Sequence, residues 1–276
     1  MVQPGVSVER LLYLYGVVRK HQDLPTSTGV PLRGVAHATV TAVVEPVCAR
    51  EFSPETLDEK LRSIEWVARL ARKHEAVLER VMRYGAVVPA RLCTLFSDTQ
   101  ALKRSLAESE GRLRAALERI QGREEWGLKA FWDEGRLRAA AADDPALPVL
   151  DAAVAVANPG HAFVLRKRRE ARLAELVSMR LDALVDEVLD AIEHVADEVR
   201  LRPLRPESAT GREAPMSLNA AALVNVSTRE TFQATIADLS ARYRDDGLVI
   251  KMSGPWPAYS FCDDAVAVGA SAEGGR

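Results

Sequence analysis

Leu218-Asn219-Ala220-Ala221-Ala222-Leu223-Val224-Asn225-Val226 runs directly into Ser227-Thr228-Arg229-Glu230. The first nine residues are mostly apolar and end in a polar cluster, which predicts a strand. Serine followed by glutamate three residues on is a capping box, so a helix is expected to start at Ser227. Phe232, Ile236, Leu239 and Tyr243 recur at helical spacing beyond it. Leu248 to Met252 then predicts a further strand. Upstream, Trp126 to Trp132 predicts a strand, and Asn158-Pro159-Gly160 opens a helix that the periodicity carries to about Val199. Leu173, Val177, Leu181, Leu184, Val188, Ile192 and Val195 line one of its faces. A short strand is expected at Leu201 to Leu204. The order from Trp126 is therefore strand, helix, strand, strand, helix, strand, which is the ferredoxin-like split βαβ order.

The first half reads as a related arrangement. Glu9 to Val18 and Ala36 to Val47 predict two strands, with Pro25, Gly29, Pro31 and Gly34 punctuating the connection. Ser53-Pro54 supplies an N-cap and an N1 proline for one helix reaching Val81. Ala86 to Leu95 predicts a strand that Pro89 confines to an edge or a bulge. Ser97-Asp98-Thr99-Gln100 is a capping box for a helix carrying Leu102, Leu106, Leu113, Leu117 and Ile120, closed by Gly122. Residues 133–157, broken by Pro145 and Pro148, read as a loop with one short helix. Arg205 to Pro215 reads as a mobile loop. The expected fold class is α+β: two ferredoxin-like, or modified ferredoxin-like, domains with one long helix in the second. The expected boundaries are 1–122 and 123–264, with a disordered tail at 265–276.

A chain of 276 residues with 47% hydrophobic and 28% charged residues can build cores for two such domains. The net charge of −2 creates no field that would gather nucleic acid or an anionic membrane. No signal peptide and no membrane-spanning run is read from the sequence, so a cytoplasmic protein is expected. Cys48, Cys93 and Cys262 are widely spaced and odd in number, which argues against a disulfide framework or a zinc site.

The sequence holds few patterns of reactive groups. No phosphate-binding glycine loop, nucleophile elbow or H-E-x-x-H pair occurs. No catalytic residue, cofactor or metal site is expected. His74 sits in an apolar helix stripe and reads as a hydrogen-bonded core histidine. His194 lies among Asp190, Asp197 and Glu198, and a solvated acidic face is favoured there over a metal site. Cys93 reads as a small buried hydrophobe. The long helix carries Arg166, Lys167, Arg168 and Arg169 near its start and Asp182, Asp186, Asp190, Glu193 and Asp197 toward its end. The helix dipole favours the reverse by roughly 0.3–1 kcal/mol per well-placed charge. Basic groups facing the acidic stripe would explain the pattern; a solvated, screened face is the simpler reading.

Near the C-terminus, Gly254-Pro255-Trp256-Pro257-Ala258-Tyr259-Ser260-Phe261 packs three aromatics into six positions of a chain that is 5% aromatic. Two prolines hold Trp256 on a stiff extended segment and bar it from a central strand. Such a clasp seals its own core or presents rings to a partner.

These residues carry a resemblance to the gas vesicle GvpL/GvpF family. The matching segments are Leu12-Tyr13-Leu14-Tyr15-Gly16-Val17-Val18, Pro31-Leu32-Arg33, His74-Glu75-Ala76-Val77-Leu78-Glu79, Val88-Pro89-Ala90-Arg91-Leu92-Cys93-Thr94-Leu95-Phe96, Glu125-Trp126-Gly127-Leu128-Lys129, Pro159-Gly160-His161-Ala162-Phe163-Val164-Leu165 and the Gly254–Phe261 clasp. The chain departs from the family's usual leucine, phenylalanine and glycine at Ala90, Leu92 and Cys93, and from its usual aromatic near Ala222. The resemblance implies two ferredoxin-like domains and a non-enzymatic role in building gas vesicles. It implies contact with the small hydrophobic shell protein and other vesicle accessory proteins. Candidate interface or clasp residues are Arg91, Phe96, Asp186, Asp190, Pro255, Trp256, Pro257, Tyr259 and Phe261. The competing class is a small-molecule-sensing module, since ferredoxin-like domains host many functions.

Overall fold

The computed structural model describes residues 10–25, 30–204, 215–262 and 265. The expected loop at Arg205–Pro215 and the tail at 265–276 lie almost wholly outside them. The chain divides into two compact units: residues 1–125 with 256–276, and residues 126–255. Residues 256–262, expected in the second domain, thus cluster with the first.

In the first unit, β1 (Arg10–Arg19) lies between β3 (Val40–Cys48) and the short edge strand β4 (Val87–Pro89), and β2 (Arg33–His37) flanks β3. β5 (Leu95–Phe96) also pairs with β1. The strand expected across Ala36–Val47 is in fact a hairpin, and Gly34 lies inside β2 rather than in a loop. His37 pairs with Val40 across a two-residue turn at Ala38-Thr39, with Ala38 at φ 44. That left-handed position usually announces itself with Gly or Asn. Pro89 sits on the edge strand, where its missing N–H costs no ladder bond.

β1 holds the key irregularity. Its register jumps between Leu14 and Gly16, leaving Tyr15 as an extra residue. A bulge reverses which face later residues occupy. The core cluster accordingly takes Tyr13 and Tyr15 before the jump and Val18 after it. Gly16 is obligatory beside the bulge, because a Cβ there would lie 2.7 Å from the Val88 carbonyl oxygen.

The helix expected over Ser53–Val81 is two helices. Ser53 caps α1 (Pro54–Leu61), and a second serine, Ser63, accepts from the Trp66 N–H and starts α2 (Ile64–Met82). α2 buries His74, Val77, Leu78 and Val81. α3 (Thr99–Ile120) is capped by Asp98 rather than Ser97; its carboxylate accepts from the Gln100 and Ala101 N–H groups and is held below the usual carboxylate range by them. The expected stripe from Leu102 to Ile120 is buried, and Gly122 leaves the helix at φ 68.

In the second unit the strand order is β7-β8-β6-β9, built from β6 (Arg123–Trp132), β7 (Glu198–Leu201), β8 (Met216–Asn225) and β9 (Leu248–Trp256). Combined with the chain order, this is the ferredoxin-like arrangement. β9 is an edge strand, which admits Pro255. Between β6 and β7 lie three helices. Two of them, α4 (Glu134–Ala141) and α5 (Ala146–Val156), occupy the stretch expected as a loop with one short helix. Pro145 and Pro148 fall at the N-cap and in the first turn of α5, where proline breaks no helical hydrogen bond. The long helix α6 (Pro159–Val195) ends before Asp197, so Asp197 is not part of its acidic stripe, and β7 begins earlier than Leu201. α7 (Arg229–Arg242) buries Phe232, Ile236 and Leu239, and Tyr243 is buried just past its end. Its expected serine cap does not form: Asn225 accepts from the Ser227 N–H and a 3₁₀ turn over Val226–Thr228 precedes the helix. One apolar core joins the sheet to α6 and α7 through Trp126, Leu128, Trp132, Val188, Ile192, Val224, Phe232 and Ile236.

Candidate functional site

Three places carry the expected site residues. The first is the loop between β4 and β5. The Tyr13 hydroxyl donates to His74 Nδ1 at 2.9 Å, and His74 Nε2 lies 3.1 Å from the Ala90 carbonyl oxygen. A carbonyl can only accept, so Nε2 carries the proton and Nδ1 receives the tyrosine's. The Cys93 N–H in turn donates to the Tyr13 oxygen at 3.3 Å. Backbone bonds from Ala90 N–H to Tyr15 and from Leu14 N–H to Thr94 complete the anchorage. His74 is therefore the core histidine the sequence suggested. Burial pulls its pKa down to about 4, so it is neutral in the fold.

This ring of bonds holds Arg91 out in solvent, while Phe96 is buried. Cys93 sits at φ 65, a left-handed conformation that suits glycine and strains a residue with a Cβ. A glycine, which the resemblance implies at this position, would adopt that backbone without strain. The Cys93 thiol is half-buried rather than enclosed, and burial raises its pKa.

Beside this network, Glu45 accepts from the Tyr15 hydroxyl at 2.6 Å and pairs with Lys73 at 2.8 Å. Tyr13, Tyr15, Phe52 and Trp66 wall a cavity of about 430 Å³, with Lys60 and Lys73 at its edge. Lys60 Nζ stands 5.6 Å from the Trp66 ring centre.

The second place is the clasp, which the structure divides. Phe261 is 2% exposed, and Pro257 and Ala258 are buried. The Tyr259 hydroxyl donates to Glu75 Oε1 at 2.9 Å, 184 residues away in sequence. Burial raises both the Tyr259 and the Glu75 pKa. Ser260 donates its N–H and hydroxyl to the two oxygens of buried Glu125, at 2.8 and 3.0 Å. The segment Pro257–Phe261 is thus locked into the first unit. Pro255 is exposed and Trp256 is 39% exposed, so the tryptophan does not seal a core as Phe261 does. The Gly254–Pro255 bond is cis. Glu75 and Glu125 escape sequence reasoning, because no local spacing links them to the clasp.

The third place is α6. Asp182, Asp186, Asp190 and Glu193 are exposed, and among the described residues none makes an ion pair. Asp182 and Asp186 edge a cleft of about 490 Å³ that also involves Trp132, Leu181 and Val185. His194 Nδ1 lies 2.7 Å from the Asp190 carbonyl and so donates to it. Among the described residues no group of three His, Cys, Asp or Glu is placed to hold a metal ion. No helix among them is long and apolar enough to cross a membrane.

Known proteins resemble this chain over almost its whole length. Gas vesicle protein L of Streptomyces sp. (strain CB03234) is 29% identical, over 93% of this chain and 94% of the relative. Gas vesicle protein L2 of Halobacterium salinarum (strain ATCC 700922 / JCM 11081 / NRC-1) is 33% identical over 91% of each. The crystal structure of the gas vesicle protein GvpF from Anabaena sp. PCC7120 shares the fold with a TM-score of 0.66 and 19% identity, covering 92% of this chain and 96% of that one. Residues 11–263 match the family described as gas vesicle synthesis protein GvpL/GvpF, and the chain belongs to that family.

Proposed function

We propose that this protein serves gas vesicle formation by binding the small hydrophobic shell protein and keeping it competent for incorporation, without turnover of its own. The observation that carries the reading is the family match over residues 11–263. A shell subunit with an apolar surface aggregates unless something shields it, and shielding needs a surface rather than a reaction centre. Such a surface is present on α5. Apart from Asp151 the helix is apolar throughout, yet it buries only Leu147, leaving Val149 69% and Val156 89% exposed. A helix of that composition ordinarily lies in a core. Arg91 and Trp256 are further exposed candidates on the first unit, and Pro255 is one at the end of the second. The proposed location is the cytoplasm, at the growing vesicle.

The test is co-expression with the shell protein, followed by pull-down at low and moderate salt. Soluble, co-purifying shell protein is expected, and Val149→Glu with Val156→Glu should reduce its recovery. Recovery of no vesicle protein under either condition would sink the reading.

The aromatic cavity favours one alternative, a metabolite-sensing module. Native mass spectrometry showing a stoichiometric small molecule on the purified protein would support it.

A further inference from the structure

Apart from the intrahelical Arg172–Glu175 pair, the charges on α6 separate into two classes. Those directed at neighbouring elements are paired: Arg169 with Asp151, Glu170 with Arg138, Arg180 with Asp246, and Glu187 with Arg242. Arg166, Lys167 and Arg168, and Asp182, Asp186, Asp190 and Glu193, are exposed and make no ion pair among the described residues. Basic charge lies in the N-terminal half of the helix and acidic charge in its C-terminal half.

Lys167, Ala171, Ala174, Ser178, Asp182 and Asp186 follow one another at intervals of three or four, and all are exposed. They form one stripe along the outside of the helix. Its middle is made of small residues, which let a second helix approach closely. Its ends carry opposite charge. Phe163 and Val164, exposed beside the basic end, add apolar surface that nothing described covers.

We infer that this stripe is a self-association surface on which α6 of a second copy packs antiparallel. The two-fold axis falls near Ala174 and Glu175. Lys167 of each copy then faces Asp182 of the other, and Ala171 faces Ser178. Each charged contact occurs twice, as an isologous interface requires. The two helix dipoles oppose one another, and each exposed charge faces one of opposite sign. A parallel arrangement would set basic against basic and acidic against acidic, so the charge pattern selects the antiparallel one. Lys167 and Asp182 lie about 22 Å apart along the axis, from the rise of 1.5 Å per residue. That spacing fixes the register.

Sedimentation velocity of the purified full chain, at low and then at high salt, tests the inference. At low salt a species of twice the chain mass is expected, and raising salt should weaken it. Lys167→Glu and Asp182→Lys, each alone, should weaken self-association by about tenfold or more, because each sets like charges opposite one another. Circular dichroism melts matching the parent would show that both exposed substitutions leave the fold intact. The decisive sample is an equimolar mixture of the two variants. In a mixed pair the two introduced charges, opposite in sign, face each other at one contact. The other contact keeps the native Lys167–Asp182 pair, so association should return. A parent chain that stays monomeric at low salt, or a mixture that associates no better than its components, overturns the inference. Association that is unchanged in both single variants overturns it too, by placing the interface elsewhere.

Discussion

The two units solve the problem of a folded core in different ways. The first places polar groups inside: Tyr13, Tyr15, His74 and Glu45 are all buried and are bonded to one another, to Lys73 or to the loop at Ala90–Cys93. The core of the second is apolar, and its ion pairs, such as Arg180–Asp246 and Glu187–Arg242, lie at the surface. Within that cluster the indole N–H groups of Trp126 and Trp132 are buried and have no hydrogen-bond partner among the described residues. Bonded networks fix geometry and register proton concentration, whereas apolar packing is indifferent to pH. The first unit is therefore the one whose loop positions depend on a protonation state.

The largest effect that sharpens this contrast belongs to the apolar core. Phe232 is fully buried and its ring lies 6.3 Å from that of Trp126. Phe232→Ala should cost the second unit about 3–5 kcal/mol through lost burial and the cavity left behind. Native-state hydrogen exchange of the β8 amides measures it. The loss should be the same at pH 5 and pH 7, since no titrating group takes part.

A smaller and pH-dependent effect is expected at His74. Its folded pKa is about 4, against an ordinary value near 6.5. The unfolded chain therefore binds a proton below about pH 6.5 that the folded chain refuses until about pH 4. Stability falls as pH drops through that window and is fully present above it. The whole shift is worth about 3 kcal/mol. Hydrogen exchange of the β1 amides should show protection falling between pH 7 and pH 5. His74→Gln should remove that component of the slope while costing about 1–2 kcal/mol at pH 7 through disturbed bonds to Tyr13 and Ala90. A wild-type slope retained in His74→Gln would show that another group carries the pH dependence.

The same division governs what is legible in the sequence. The stripes of α3 and α7 and the strand order of the second unit can be read because each is a local pattern of period 3.6 or a run of apolar residues. The hairpin turn at Ala38-Thr39 is hidden because neither residue advertises a left-handed backbone. The break between α1 and α2 is hidden because Ser63 interrupts no apolar stripe. Of α4 and α5 only one short helix is legible, because Pro145 and Pro148 look like breakers and fall instead where α5 tolerates them. At the candidate sites, His74 is readable as a core residue, but its partners are not: Tyr13 is 61 residues away. The clasp is recognisable from composition, while its anchors Glu75 and Glu125 are set by tertiary proximity alone.

The smallest effect expected on stability concerns the ring that looks most structural in the sequence. Trp256 and Phe261 are five residues apart in one aromatic segment, yet only Phe261 is enclosed. The segment is held by the Tyr259 bond to Glu75 and by two Ser260 bonds to Glu125, none of which needs the indole. Trp256→Ala should therefore cost about 1 kcal/mol, well short of the roughly 3–5 kcal/mol of an enclosed ring. A thermal melt should move by only a few degrees. A half-exposed tryptophan beside exposed Pro255 has the rigid, amphipathic character that binding surfaces use. If it contacts another vesicle protein, capture of that protein should fall in Trp256→Ala while the melt stays in place. A large drop in melting temperature would instead return Trp256 to the role that Phe261 fills, and would mean that the clasp seals its unit with both rings. Unchanged melting together with unchanged capture would leave Phe261, Tyr259 and Ser260 as the whole of what the clasp contributes.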